Sequence, residues 1–183
     1  SGTVKCPAPL AVGYSKTITG KTYYVVDSAA ITSILNTGSF SVGASTVTPT
    51  DLSCVCTTQI TSMEDMFNGQ ATFNDDISNW DTSNVINMQQ MFMGTASFTI
   101  NINSWVVSSV TDMDGMFRAA TSFNQPLNNW NVGNVTSMSN MFRDASAFNQ
   151  PLNSWDVSKV KYMQFLFKST IYNQPLNNWD VSS

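Results

Sequence analysis

The chain has 183 residues, a formal net charge of −4, 42% hydrophobic residues and only 11% charged residues. Histidine is absent, which excludes Ser-His-Asp and Cys-His catalysis, so we expect no enzyme and no catalytic residues in this chain. The eight Lys and Arg residues are scattered and form no basic stripe that could bind phosphates, so we expect no nucleic-acid partner. No apolar run approaches the roughly 18 residues of a membrane span, so we expect no membrane span either.

Residues 1–50 show no repeat and are predicted to form an N-terminal capping segment. The stretch 20–26 combines Tyr and Val after a glycine, which is typical of a strand that follows a turn. A short helix is predicted over 29–35, ahead of the Gly-, Ser- and Thr-rich stretch 37–50. A repeat array needs its first apolar layer covered, so we interpret this segment as the cap, with a separate functional module as the alternative.

Residues 51–183 contain a repeat with a period of 25 residues. The tryptophans mark it, with a final interval of 24: Trp80, Trp105, Trp130, Trp155 and Trp179. An aliphatic residue precedes each of them by three positions: Ile77, Ile102, Leu127, Leu152 and Leu176. Methionine and phenylalanine columns follow in register, as at Met88, Met91 and Phe92. About five units are therefore expected in this region.

The spacing inside one unit predicts its local structure. Leu152, Trp155 and Val157 end in the alternation of a short strand, whereas Val160, Met163, Leu166 and Phe167 follow the apolar stripe of two helical turns. We therefore predict an α/β repeat solenoid with one short strand and one short helix per unit. The Met columns are interpreted as core, not as a copper site, and the buried indoles are expected to donate to an Asn or a backbone carbonyl.

The motif L-x-x-W-x-V-x-x-V-x-x-M-x-x-M-F, closed by F-N-Q-P-L, resembles the BspA-like branch of the leucine-rich repeats, found in bacterial surface proteins and mycoplasma lipoproteins. Residues 123–130 and 148–155 carry the resemblance most clearly. It implies a right-handed leucine-rich-repeat-like coil, a secreted or cell-surface location, and adhesion or partner binding, but no cofactor and no shared ligand. Val106 and Thr99 depart from the usual Asp and Asn.

Cys6, Cys54 and Cys56 are the only cysteines. In an exported protein, Cys6 is expected to bond one of the other two and to join the cap to the first strand. Similar proteins carry a Cys followed by Thr at this point, so the resemblance favours Cys6–Cys56 over Cys6–Cys54. A metal site is not expected, because Cys-x-Cys with one distant Cys and no His offers too few zinc ligands.

The strand model places a row of polar side chains outward on one face of the array, and extended faces of this kind are common binding surfaces in repeat proteins. The candidate binding residues are Asn79, Asp81, Ser104, Asn129, Asn131, Ser154, Asp156, Asn178 and Asp180. A solvated polar face without a ligand is the alternative. The predicted partner is a protein or a glycan on a cell surface.

The main functional hypothesis is thus an extracellular, non-enzymatic binding or adhesion module. The alternative is a structural subunit of a surface filament, sheath or virion coat. In that case, self-association would run through the C-terminal edge, because the array stops just after a predicted strand and an unpaired layer invites stacking.

Overall fold

A computed structural model describes residues 11–18, 21–37, 40–42, 45–47 and 52–182. Its first part contains β1 (Ser15–Ile18), β2 (Lys21–Val25), α1 (Ser28–Thr37), β3 (Phe40–Val42), β4 (Ser45–Val47), a 3-10 turn at Leu52–Cys54, and β5 (Val55–Cys56). The sheet order is β1-β2-β5, and β3 pairs with β4. Strand β2 and helix α1 confirm the elements predicted there. No helix in the described ranges is long and apolar enough to cross a membrane.

The N-terminal segment contacts the first coil of the repeat. Strand β2 pairs in parallel with β5, and Tyr24 lies opposite Val55. The carboxylate of Asp27 accepts the Ala30 N–H at 2.7 Å, which caps the N-terminus of α1. From the same helix, Ser28 Oγ donates to the Ser62 carbonyl at 2.7 Å, and Ile31 is buried in the hydrophobic core shared with the repeat. These contacts join the N-terminal segment to the first coil, and its role as a cap stays a prediction.

Successive repeats lie on one another and pair along one short segment of each coil. We call these the ladder segments; they comprise residues 62–69, 87–94, 112–119, 137–144 and 162–169 of coils 1 to 5. Parallel bridges connect the first residues of all five: Ser62, Asn87, Asp112, Ser137 and Tyr162. Alternate N–H groups in each of the first four segments donate to the next coil, as Met88, Gln90, Phe92 and Gly94 do at 2.7–3.0 Å. The pairing therefore repeats once per 25 residues.

The helix predicted in each unit is wrong, because two backbone positions per ladder segment have positive φ. The fourth position holds Asp65, Gln90, Gly115, Asn140 and Phe165, and the eighth holds Gly69, Gly94, Ala119, Asp144 and Ser169. A left-handed residue every few positions prevents a continuous α-helix. The backbone instead forms consecutive tight turns, such as Met66 N–H to the Met63 carbonyl, while its other N–H groups bond the next coil.

The strand predicted at Trp-x-Val is also displaced. Residues 155–157 form no strand, and the bridging residue Tyr162 comes seven positions after Trp155. The physical reason is the acidic or amide residue that follows the tryptophan. Asp156 Oδ1 accepts the Ser158 N–H at 3.1 Å and its hydroxyl at 2.7 Å, which closes a turn where the strand was expected.

The core consists of continuous side-chain columns that run through the coils. Trp80 stacks on Trp105 with ring centroids 6.4 Å apart, and Trp130 on Trp155 at 6.5 Å. The Phe columns stack in the same way, and Met88, Met113 and Met138 are fully buried. Burial of these columns is confirmed for the earlier coils, whereas their last members Met163, Phe167 and Trp179 are only partly buried.

Each tryptophan indole N–H donates to a backbone carbonyl. The sequence predicted either a backbone carbonyl or an Asn as the acceptor. Trp105 Nε1 bonds the Ile77 carbonyl at 3.2 Å, and Trp130 bonds the Ile102 carbonyl at 3.1 Å. Amides of the F-N-Q-P turns make a second set of bonds between coils. Asn149 Oδ1, for example, accepts the Asn173 N–H at 3.0 Å. Neighbouring coils are thus joined on several sides, and each buried indole is satisfied.

Candidate binding grooves on the tryptophan side

The turns after the tryptophans fix the predicted carboxylates in place. Asp180 Oδ1 accepts the Ser182 hydroxyl at 2.6 Å and the Ser182 N–H at 3.1 Å, and Asp156 has the same arrangement with Ser158. These hydrogen bonds favour the ionised carboxylate and therefore lower its pKa. For Asp180 the larger effect comes from the Ser182 hydroxyl and the smaller from the Ser182 N–H, and Ser158 acts on Asp156 in the same way. These carboxylates close turns and stay charged, which does not suit a general acid.

Two adjoining grooves lie on this side of coils 2 to 4. The larger has a volume of about 550 Å³ and is lined by Asp76, Ser78, Thr99, Ile100, Asn101, Asn103, Ser104 and Asn129. The second has a volume of about 390 Å³ and is lined by Asn103, Ser104, Trp105, Val106, Val107, Ser108, Asn129 and Asn131. Three residues, Asn103, Ser104 and Asn129, line both. The grooves therefore form one continuous strip.

The strip lies where the sequence departs from the repeat. Thr99, Ile100 and Asn101 stand where the later coils carry Asn, Gln and Pro. Val106 replaces the Asp or Asn after the tryptophan and is 49% exposed. Ser104 Oγ donates to the Ser78 carbonyl at 3.1 Å, so the groove wall is held across two coils. The grooves thus lie at departures from the repeat, and Ile100 and Val106 are apolar members of a lining that also contains polar side chains.

The lining offers amide and hydroxyl groups, with Asp76 as its one ionisable side chain. Within the described part of the chain, Nδ2 of Asn101 and of Asn131 donates to no protein atom, whereas both Oδ1 atoms accept turn N–H groups. These two amides are therefore held in position with donors available to a ligand. Ile100 and Val106 add apolar contact nearby. The arrangement can bind a neutral, hydroxyl-bearing ligand.

The structure distributes the nine predicted binding residues over three environments. Three line the grooves, namely Ser104, Asn129 and Asn131. Four others are exposed but do not line these grooves: Ser154, Asp156, Asn178 and Asp180. For Asp81 the prediction of an outward carboxylate is wrong, because Asp81 is 3% exposed and accepts the Thr58 hydroxyl at 3.0 Å and the Ser83 hydroxyl at 2.7 Å. Asn79 is half-buried, and its Nδ2 donates to the Ser53 carbonyl at 3.1 Å.

Sequence reasoning missed several lining residues, above all Asp76, Ile100, Asn101 and Asn103. A signal existed, because Thr99 and Val106 were recognised as departures from the motif. A cluster of departures in a regular repeat marks a place where packing does not dictate the residue. Extending the departures to their neighbours would have predicted the strip.

The predicted disulfide involves a residue outside the described ranges, namely Cys6. Its preferred partner Cys56 is buried, as is Cys54. The Cys6–Cys56 bond therefore stays a prediction. Among the described residues, no group of three or more His, Cys, Asp or Glu side chains could hold a metal ion.

Comparison with known proteins gives a family but no function. No curated protein and no solved structure matches the chain. A family model described as "Mycoplasma protein of unknown function, DUF285" matches residues 37–137 and again 102–183. The two overlapping matches span the coils and the segment just before them. The chain belongs to this DUF285 family.

Proposed function

We propose that this chain is a non-enzymatic binding module of an exported or cell-surface protein, and that the strip of two grooves holds a neutral glycan. The single observation that supports this most is the convergence of the grooves on Asn103, Ser104 and Asn129. Side-chain amides and hydroxyls match the hydroxyl groups of a sugar, and Ile100 and Val106 match its apolar face. The structural setting is a rigid stack, so the groups are preorganised.

The proposed fold is a BspA-like leucine-rich-repeat solenoid in which tight turns replace the helices. Coils that pair once per repeat and share one core support this relationship. The right-handed sense of the coil remains a prediction. The low charge and the Asn-, Ser- and Thr-rich surface support an extracellular location.

A binding role fits the grooves better than catalysis does. A glycosidase would need two carboxyl groups on opposite sides of the bound sugar bond. The strip contains one, on Asp76, and its Oδ1 already accepts the Ser78 hydroxyl at 2.6 Å. The other carboxylates on this side, such as Asp156, close turns outside the lining.

Glycan arrays probed with the purified chain test the proposal, followed by titration calorimetry with any glycan retained. Asn101→Ala and Asn131→Ala should each weaken binding about fivefold to tenfold, since each removes a donor worth about 1 kcal/mol. Val106→Asp should weaken it further by placing a carboxylate in the second groove. Ser154→Ala, on an exposed equivalent position of a later coil, is the matched control and should bind normally.

Two results would count against the glycan. No retention on any glycan, with capture of a protein ligand through the same strip, would assign a protein partner instead. No retention of either class would favour the second hypothesis, a structural subunit. Equal binding by Val106→Asp and by the unaltered chain would show that the grooves are not the site.

A further inference from the structure

Phe165 occupies a backbone position that disfavours it. Its φ is +59°, and the equivalent residues of the other coils are Asp65, Gln90, Gly115 and Asn140. Asn, Asp and Gly tolerate the left-handed region, whereas a bulky aromatic residue there is strained. The ring is also 58% exposed. Neither backbone preference nor burial in the core accounts for phenylalanine at this position.

Two cations flank the exposed ring. The Arg143 guanidinium lies 5.8 Å from the centroid of Phe165, and the Lys168 ammonium lies 5.2 Å from it. Arg143 Nε is 3.4 Å from the Asp144 carboxylate, and the Arg143 side chain is partly exposed. The result is an exposed aromatic ring between two positive groups, and aromatic residues and Arg are enriched at protein interfaces. We call Phe165, Arg143 and Lys168 the aromatic clamp.

The opposite charge lies at the other end of the same face. The outward side chains of coil 1 at this face include Glu64 and Asp65, and both are exposed. Within the ladder segments, coil 1 has two acidic and no basic side chains, coil 3 has two acidic and one basic, coil 4 has one of each, and coil 5 has one basic side chain, Lys168. Asp112 and Asp114 add negative charge on coil 3, where burial and then repulsion from Asp112 raise the pKa of Asp114. The face is therefore negative at one end and positive at the other.

We infer that the ladder segments form a self-complementary face, on which the aromatic clamp of one copy binds Glu64 and Asp65 of a second copy. A twofold axis perpendicular to the stack places coil 5 of one copy against coil 1 of the other, and the same contact forms twice. A parallel arrangement would set like charges against each other. Charge complementarity thus selects the antiparallel pair.

The size of the face sets the strength of this contact. Five coils at about 4.8 Å each, with ladder segments about 20 Å wide, give roughly 500 Å² per copy. Roughly 1,000 Å² in total lies at the low end of specific interfaces, so the pair is weak and concentration-dependent. Its ion pairs are exposed at the rim and should weaken as salt increases. None of these residues lines the grooves, so this contact and glycan binding can fail independently.

Sedimentation equilibrium between about 10 μM and 1 mM chain tests the inference directly. We expect a reversible monomer–dimer equilibrium that shifts toward monomer between about 0.05 and 0.5 M NaCl. Lys168→Glu should weaken dimerisation by at least about tenfold, and adding Glu64→Lys to it should restore most of the loss. Val106→Asp changes a groove residue and should leave dimerisation unchanged.

Phe165→Asn separates a binding role from a folding role. It should abolish the dimer and raise the melting temperature of the monomer by about 2–4 °C, since Asn relieves the left-handed strain. A strictly monomeric chain at the highest concentration would overturn the inference. So would a dimer unaffected by Phe165→Asn, or charge reversals that do not compensate. Binding of an acidic polysaccharide to the clamp of a monomeric chain would assign that ligand instead.

Discussion

Replacing Trp130 by Phe tests the energetic basis of the stacked core. The Trp130 indole is 3% exposed, and its Nε1 donates to the Ile102 carbonyl one coil earlier at 3.1 Å. The substitution leaves that buried carbonyl without its donor, at a cost of about 1–3 kcal/mol. The smaller ring leaves a void of roughly 40 Å³, which costs about 1 kcal/mol more at about 24 cal/mol per Å³.

The free energy of unfolding should therefore fall by about 2–4 kcal/mol, a large part of the stability of an ordinary domain. Equilibrium urea unfolding measures this as a lower midpoint with an unchanged slope. Trp179→Phe is the matched control, because Trp179 makes the same bond to the Leu152 carbonyl at 2.9 Å but is only partly buried, so its loss should be about half. A change below about 0.5 kcal/mol for Trp130→Phe would refute the reasoning.

Three further predictions concern the turns and the repeat. Folding lowers the pKa of Asp156. The stability that this carboxylate contributes is therefore present above the ordinary Asp pKa and is lost as the pH falls through the lowered value. Asp156→Asn keeps the turn, as Asn131 does, and should make unfolding less acid-sensitive below about pH 4. Asn149→Ala removes the acceptor for the Asn173 N–H and should cost about 1 kcal/mol by urea unfolding, whereas Asn177→Ala, on an exposed turn residue, should cost little. Deleting residues 101–125 removes one period and should leave a cooperative thermal transition, whereas deleting residues 101–112 should abolish it.

The sequence alone predicted the parts of the structure that depend on burial. Most units repeat their Trp, Met and Phe in register, and the side chains of such columns have to meet if the coils stack. The same reasoning predicted an acceptor for each indole, because a buried N–H without a partner is costly. It also predicted β2 and α1, whose local patterns are ordinary.

The local backbone could not be predicted from the same pattern. Apolar residues spaced three positions and one position apart are compatible with a helix. The same spacing is equally compatible with a run of tight turns whose N–H groups bond the next coil. The decisive residues are the ten left-handed ones, and six of them favour that conformation by type: Asp65, Gly69, Gly94, Gly115, Asn140 and Asp144. Gln90 and Phe165 obscure the signal.

Three of the nine predicted binding residues line the grooves that we propose as the binding surface. Ser104, Asn129 and Asn131 line the grooves because they follow the repeat to its outer side. Asp81 does not, since Thr58 of the preceding coil covers its carboxylate. Such contacts depend on how one coil sits on another, and a single unit contains no information about that offset.

We conclude that the coils stack with one repeat per layer and share one side-chain core. A crystal structure of the chain is the most direct measurement. It should show the Trp130 and Trp155 rings nearly parallel, with centroids 6.5 Å apart and an angle of 2° between their planes, and each indole bonded to the preceding coil. Rings that lie apart, or indoles in contact with solvent, would contradict this conclusion.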